Sequence, residues 1–425
     1  MFKELKNAKI SLVLFLSFMY VGVSFAVPKI RKANGFAEGT TGGGNNVQVV
    51  PKRGITGGGN AAPTVATSMA ELSALASGNA PAVIVVDGMM SGVLSIGSNK
   101  TIVGANSNSG MKGFSSSGSN IIIQNLNFGP SGGDVAELAG AKKVFVTKCE
   151  FHDCGDELFS MVKGCDLITI SWCKFYFNKT HEHAFAHLIG ASNGDKGNYR
   201  TTFHHNWYTK GVVERMPRVR FGKVHIYNNY YESDRTNYVI GVGANANILL
   251  EATYFKDQGN QAWFDWRQGN PATMQWTDDN KFVNTPIPTF IKNGQAFKPP
   301  YEYRHLMYPT EDIPKIVMAG AGNKHTEDPA TPLYKSRTTP QKNNSMDLVT
   351  YNSTSSKLEF ILDGKHDIRI ALYDITGRMV KTVLNHSMSA GPHSILLNQS
   401  ELSNGVYYLK FQANSMSQVI KVYNY

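Results

Sequence analysis

Apolar and polar positions repeat in a fixed register through the middle of this chain. Six segments align: IIIQNLNF (121–128), VFVTKCEF (144–151), ITISWCKF (168–175), TTFHHNWY (201–208), VHIYNNYY (224–231) and ILLEATYF (248–255), with starts 23, 24, 33, 23 and 24 residues apart. Their third position is Ile123, Val146, Ile170, Phe203, Ile226 and Leu250, and their last is always aromatic: Phe128, Phe151, Phe175, Tyr208, Tyr231 and Phe255. A period in the low twenties with one apolar and one aromatic column predicts a solenoid of short strands, in which each coil buries its inner face only by stacking on its neighbours. The long interval gives one coil a loop of about ten extra residues, and such loops gather on one face of a solenoid, often the binding face.

Other patterns flank the repeat. TSMAELSALASGN (67–79) predicts a capped helix, with Ser68 as N-cap and Glu71 three residues on, able to close the open end of the stack. Strands start at PAVIVVDG (81–88), and regularity falls over 258–325, which is expected to pack back on the outside of the coils. Residues 27–62, with runs such as GTTGGGNN, read as a flexible N-terminal arm. Residues 326–345 have linker composition. Beyond them, short alternating strands such as KLEFIL and GVYYLKF predict a small β-sandwich over 346–425.

Composition narrows the setting. Lys3, Lys6 and Lys9, an apolar stretch from Ile10 to Val23 and the small residues Ser24 and Ala26 make residues 1–26 a secretion signal, too short in its apolar part for a membrane span. Those residues hold three Lys and one Glu, so the formal +10 falls to about +8 without them. A basic exported protein suits an acidic polymer, and nucleic acid is not expected as a partner. Cys149 and Cys173 share a column about 4.8 Å apart in stacked strands. Either a disulfide or a stack of buried small residues fits that spacing. With Cys154 and Cys165 they lack metal-ligand spacing.

In order along the chain come NKTI (99–102), NIIIQNLNF (120–128), ITISW (168–172), LIG (188–190), TTFHHN (201–206), RMPRVRFG (215–222) and VHIYNNYY (224–231). This ordered set resembles polysaccharide lyase family 1, the pectate and pectin lyases, over roughly residues 60–325. YDITGRMV (373–380) and LSNGVYYLKF (402–411) resemble the sorting domains of the type IX secretion system of Bacteroidetes. The resemblance implies an all-β protein: a right-handed single-stranded parallel β-helix followed by a small C-terminal β-sandwich. It also implies a monomer that meets the type IX secretion machinery, is secreted or attached to the cell surface, and cleaves pectate or pectin, an acidic plant cell-wall polysaccharide, by β-elimination.

The same resemblance assigns site residues. Arg215 matches the base that takes the C5 proton of a galacturonate, and Arg220 matches a ligand of the substrate carboxylate. Arg218 and Lys179 are further candidates for substrate binding. In a regular strand Arg215 and Arg220 would face opposite sides, so a bend at Pro217 is needed to bring them into one groove. A free guanidinium holds its proton far above neutral pH, so the base role needs desolvation and further positive charge nearby. The same arginines could instead only bind an acidic polymer or form surface ion pairs. For Ca²⁺, Asp134 and Glu157 match acidic ligands and Asp156 could join them. Met161 and Gly132 fall where the family carries aspartates, which predicts a depleted site. Phe185 stands where the family carries a lysine. These departures favour a partly methyl-esterified substrate. A pectin hydrolase using acids such as Asp153, Asp156 and Glu157, and a non-catalytic galacturonan-binding protein, are the alternative readings.

Several residues carry structural expectations. Asn206 and Asn229 are expected to form a hydrogen-bonded ladder at a turn, with His204 and Tyr227 on the adjoining column. His181, His183 and His187 have metal-ligand spacing but are read as an incidental loop patch. Trp263, Trp266 and Trp276 suit packing more than sugar stacking.

Overall fold

A computed structural model describes residues 30–38, 61–325 and, apart from 353–355, 363, 390, 399–401, 404 and 414–415, residues 349–424. The signal segment 1–26 and the linker 326–345 lie outside the described residues. The rest falls into two compact units, one up to residue 325 and one from 349.

The larger unit is a parallel β-solenoid. One ladder is a 10-stranded sheet containing Ser119–Gln124, Lys142–Thr147, Asp166–Ser171, Thr201–His204, Lys223–Tyr227 and Asn247–Glu251. Two more ladders, joined through Gly110–Ser116, make a 15-stranded sheet. The second ladder runs through Glu150–His152, Lys174–Tyr176 and Trp207–Tyr208. The third runs through Ala136–Ala139, Glu157–Val162, Phe185–Ile189, Arg218–Val219, Ile240–Gly243 and Trp263–Trp266.

The register expected from sequence is the register observed. Ile123, Val146, Ile170, Phe203, Ile226 and Leu250 pair in succession on the first ladder. The aromatic column pairs likewise on the second. Its rings stack at 5.0, 5.2, 5.0, 4.7 and 4.8 Å, and Phe282 continues the pile at 4.8 Å. The six repeat aromatics are all buried, so dispersion and area burial act together along the axis.

Each coil turns the corner between the first two ladders on one residue in left-handed backbone: Asn125, Lys148, Trp172, His205, Asn228 and Ala252. Among residues with a side chain, asparagine tolerates that conformation best. The next residue points inward. There Asn206 donates to Asn229 Oδ1 at 3.0 Å and to the Ile170 carbonyl at 2.9 Å, the expected ladder. Cys149 and Cys173 occupy the same inner corner as buried free thiols. His204 stacks on Tyr227 at 4.8 Å.

The N-terminal helix is Met69–Ala76, with the predicted capping box on Ser68 and Glu71, and it buries Leu72 and Ala76 in the main core. Coil regularity persists past the expected limit near residue 257, through Trp263–Trp266, Thr273–Trp276 and Lys281–Val283. From there the chain returns along the outside. Helix Ile313–Gly320 covers Trp172, and only a glycine fits at 320, because a Cβ there would lie 2.4 Å from the indole. Within the arm read as flexible, residues 30–38 are seated on the first ladder: Phe36 N and Ala37 N donate to the hydroxyls of Thr202 and Thr169, both at 3.0 Å.

The smaller unit is the expected β-sandwich. A three-stranded antiparallel sheet and a four-stranded one enclose Leu358, Phe360, Ile368, Ile370, Leu372, Leu409 and Phe411.

Candidate active site

The third ladder carries the chemistry. Asp134 lies just before the strand Ala136–Ala139, and Asp156 and Glu157 lie at the start of the next, so stacking brings them to one edge. One carboxylate oxygen from each of Asp134, Asp156 and Glu157 lies within 4.8 Å of the others. Asp134 Oδ1 accepts from Glu157 N at 3.0 Å. Burial pushes the Glu157 carboxyl up to about 8, against the pull of the Arg215 guanidinium and with help from Asp156 and Asp134. Burial raises Asp134 as well. Three carboxylate oxygens this close, with only Glu157 answered by a guanidinium, form a set that a hard dication would relieve, so these residues fit calcium. Met161, read as a lost ligand, is instead buried in the solenoid core beside Ile189. Asp156 supplies the third carboxylate.

The arginines sit two coils on. Arg215 has φ +63°, and the Met216–Pro217 peptide is cis. The left-handed residue takes the chain out of the extended path, which is the departure that the odd spacing of Arg215 and Arg220 required. Arg215 forms an ion pair with Glu157 and lies face-on to Phe185, its Cζ 3.8 Å from the ring centroid. Arg220 donates to the Gly190 carbonyl at 2.9 Å. Burial, then Arg215 and Arg220, bring Arg218 down to about 10, while burial and Arg215 lower Arg220. Arg215 is therefore close enough to disfavour the charge on Arg218 and Arg220. The Nε atoms of all three are buried without a hydrogen-bond acceptor.

Other candidates fall elsewhere. Lys179 has an exposed side chain and is tied down through its backbone, which donates to Asp153 at 3.3 Å. Asp153 turns to His152 and Asn178, away from the acid trio. The extra residues of the long coil divide between 177–184 and 190–200, with a core strand between them, so the stretch 180–187 is not one exposed insertion. His187 belongs to that strand. It is fully buried, its Nε2 lies 2.9 Å from the Tyr208 hydroxyl, and burial holds it down at about 3. His181 Nε2 instead lies 2.7 Å from the Cys154 carbonyl. Trp263 is core and Trp276 packs on it at 5.0 Å, whereas Trp266 lies beside Arg218 at 5.1 Å. Sequence reasoning noticed Phe185 only as a missing lysine. It did not see the outward glycines Gly241 and Gly243 between the arginines and Trp266, though the alternation I-G-V-G was there to be read.

A family model described as pectate lyase matches residues 26–286, and one described as a secretion system C-terminal sorting domain matches residues 352–423. A pectate trisaccharide-lyase of Bacillus licheniformis is 30% identical over 243 residues, which cover 53% of this chain and 67% of that one. Pectate lyase A of Emericella nidulans is 34% identical over 296 residues, covering 64% and 84%. A solved pectate lyase bound to hexasaccharide matches with a TM-score of 0.57 at 18% identity, over 70% of this chain and 98% of the other, a likeness of fold.

Proposed function

The chain belongs to the pectate lyase family and is a polysaccharide lyase with a secretion sorting domain, and on that footing we propose that it is an exported enzyme cleaving α-1,4-linked galacturonan to 4,5-unsaturated oligogalacturonides. The observation that carries this reading is the cluster of Arg215, Arg218 and Arg220 beside the acid trio on one ladder of the solenoid.

Arg218 and Arg220 bring positive charge to a substrate carboxylate. Arg215 leaves Glu157, gives up one proton to solvent and, as the neutral guanidine, accepts the C5 proton. Burial, and then Arg215, lower Arg218 and Arg220, so their positive charge stands close beside that base. Negative charge then builds on the neighbouring carboxylate, where fixed positive groups stabilise it. The C5 electron pair forms the C4=C5 bond as the C4–O bond breaks, and the leaving oxygen takes a proton from solvent. Asp134, Asp156 and Glu157 would hold Ca²⁺, which supplies positive charge to the substrate carboxylates when bound.

The test is product formation on pectate and on highly esterified pectin, each with and without chelator. An ultraviolet-absorbing unsaturated product from either substrate supports the reading, and its absence from both refutes it. Loss of activity on pectate with chelator assigns calcium a role, and activity that survives chelation on pectin assigns the esterified substrate.

A further inference from the structure

The strand Ile240–Gly243 buries Ile240 and Val242 in the core and leaves two glycines between the arginine row and the next strand. Gly241 pairs with Arg218 on one side and Phe264 on the other, and Gly243 pairs with Trp266. A Cβ on Gly241 would stand 2.7 Å from Arg218 Cγ and 3.1 Å from Trp266 Cδ1, and one on Gly243 would stand 2.9 Å from Arg220 Cγ. Both arginine side chains thus lie across a strand that has no side chain on this face, and Arg218 reaches the indole of Trp266.

The far wall is aromatic. Phe264 is 38% exposed, its ring 5.6 Å from Trp266 and 5.3 Å from Tyr238. Phe264 and the half-buried Trp266 together give this wall an apolar face beside the arginines. Trp266 Nε1 and the Nε atoms of Arg218 and Arg220 are themselves buried and closed to a ligand, so what this wall presents is ring face, with the arginine charge beside it. A hexuronate ring is built to match, with C–H groups on one face and oxygens on its rim.

We propose that Phe264 and Trp266, over the Gly241–Gly243 floor, form a sugar subsite next to the reacting position, holding a uronosyl residue by stacking on its C–H face. This rests on the galacturonan reading above. Because stacking does not depend on the sugar's charge, this subsite accepts free and esterified residues alike.

The test is calorimetric titration of hexagalacturonate into full-length protein carrying Arg215→Lys to stop turnover, with Trp266→Ala, Phe264→Ala or Trp266→Phe added. Either alanine variant should weaken binding about tenfold. The loss should persist in about 0.5 M NaCl, where screening confines the arginine contribution to within a few ångströms. Trp266→Phe should stay within about threefold of its parent, since it keeps a ring. Binding unchanged in both alanine variants, with the far-ultraviolet spectrum and melting temperature retained, overturns the subsite. If Trp266→Ala is misfolded, Phe264→Ala alone decides. Should the unmutated enzyme form no unsaturated product yet bind the oligosaccharide with this aromatic dependence, the lyase reading fails and the subsite stands. Should it form product while both alanine variants bind normally, only the subsite fails.

Discussion

Replacing Phe185 by lysine should raise activity on pectate at neutral pH. The Phe185 ring now faces the Arg215 guanidinium with 3.8 Å between ring centroid and Cζ, and a ring so placed favours the charged form by about 0.5–2 kcal/mol. Removing it forfeits that stabilisation. An ammonium near the same place, about 4 Å away, adds about 4 kcal/mol of repulsion at an effective dielectric of 20. The carboxylate of Glu157, whose strand pairs Glu157 with Phe185, and nearby solvent screen part of it, leaving roughly 2 kcal/mol. Together about 3 kcal/mol then opposes the charged guanidinium, or about a hundredfold more of the free base at fixed pH. The assay is a pH–rate profile on pectate, read as unsaturated product, for Phe185→Lys and Phe185→Leu. The rising limb of that profile should move to lower pH by about two units in the lysine variant and by about one or less in the leucine variant. Two folded variants whose profiles superpose on the parent would refute the role given to Arg215.

The same geometry sets other outcomes. Arg215→Ala removes the present partner of Glu157 and should tighten calcium binding about tenfold by calorimetry, whereas Glu157→Gln should weaken it by at least as much. Phe175 stacks between Phe151 and Tyr208 at 5.2 and 5.0 Å, so Phe175→Ala should cost about 3–5 kcal/mol and lower the melting temperature by roughly 10 °C. His187 is held neutral down to about 3, so as pH falls from about 6.5 the unfolded chain binds a proton the folded chain refuses, and stability is lost by at most about 5 kcal/mol. In denaturant titrations between pH 7 and 4, His187→Leu should flatten that fall, and an unchanged slope counts against it.

How much of this could be read from sequence depends on the ladder. The first and second ladders were legible because a short corner joins them: one left-handed residue, such as Asn125 or Asn228, fixes the register of the next strand. The third ladder was not. A loop of variable length precedes each of its strands, four residues before Glu157 but eight before Phe185, so inside and outside positions cannot be counted forward from the aromatic column. That is why His187 read as a loop residue and Met161 as a lost ligand, though both point into the core. The arginines were legible through their motif. Their partner was not, because Glu157 and Arg215 are 58 residues apart and meet only by stacking across an intervening coil.

The charge of the site argues for why the missing lysine matters. Arg215, Arg218 and Arg220 face Asp134, Asp156 and Glu157, so with every group ionised the cluster is near neutral although the chain carries a formal +10. A neutral groove gives little net attraction to a polymer with a carboxylate on every sugar, and that polymer would also compete with Glu157 for Arg215. In a relative with a lysine at position 185, the balance would be one unit more positive. Here the ring of Phe185 contributes no charge and holds Arg215 against Glu157. Two remedies remain: added positive charge at the acid trio, or a substrate that brings fewer charges because its carboxyls are esterified. The stacking wall of Phe264 and Trp266 serves both substrates equally, so it cannot select between them. Selection must fall on Arg215, Glu157 and the groups around them, where chelator and ester content act on the same carboxylate.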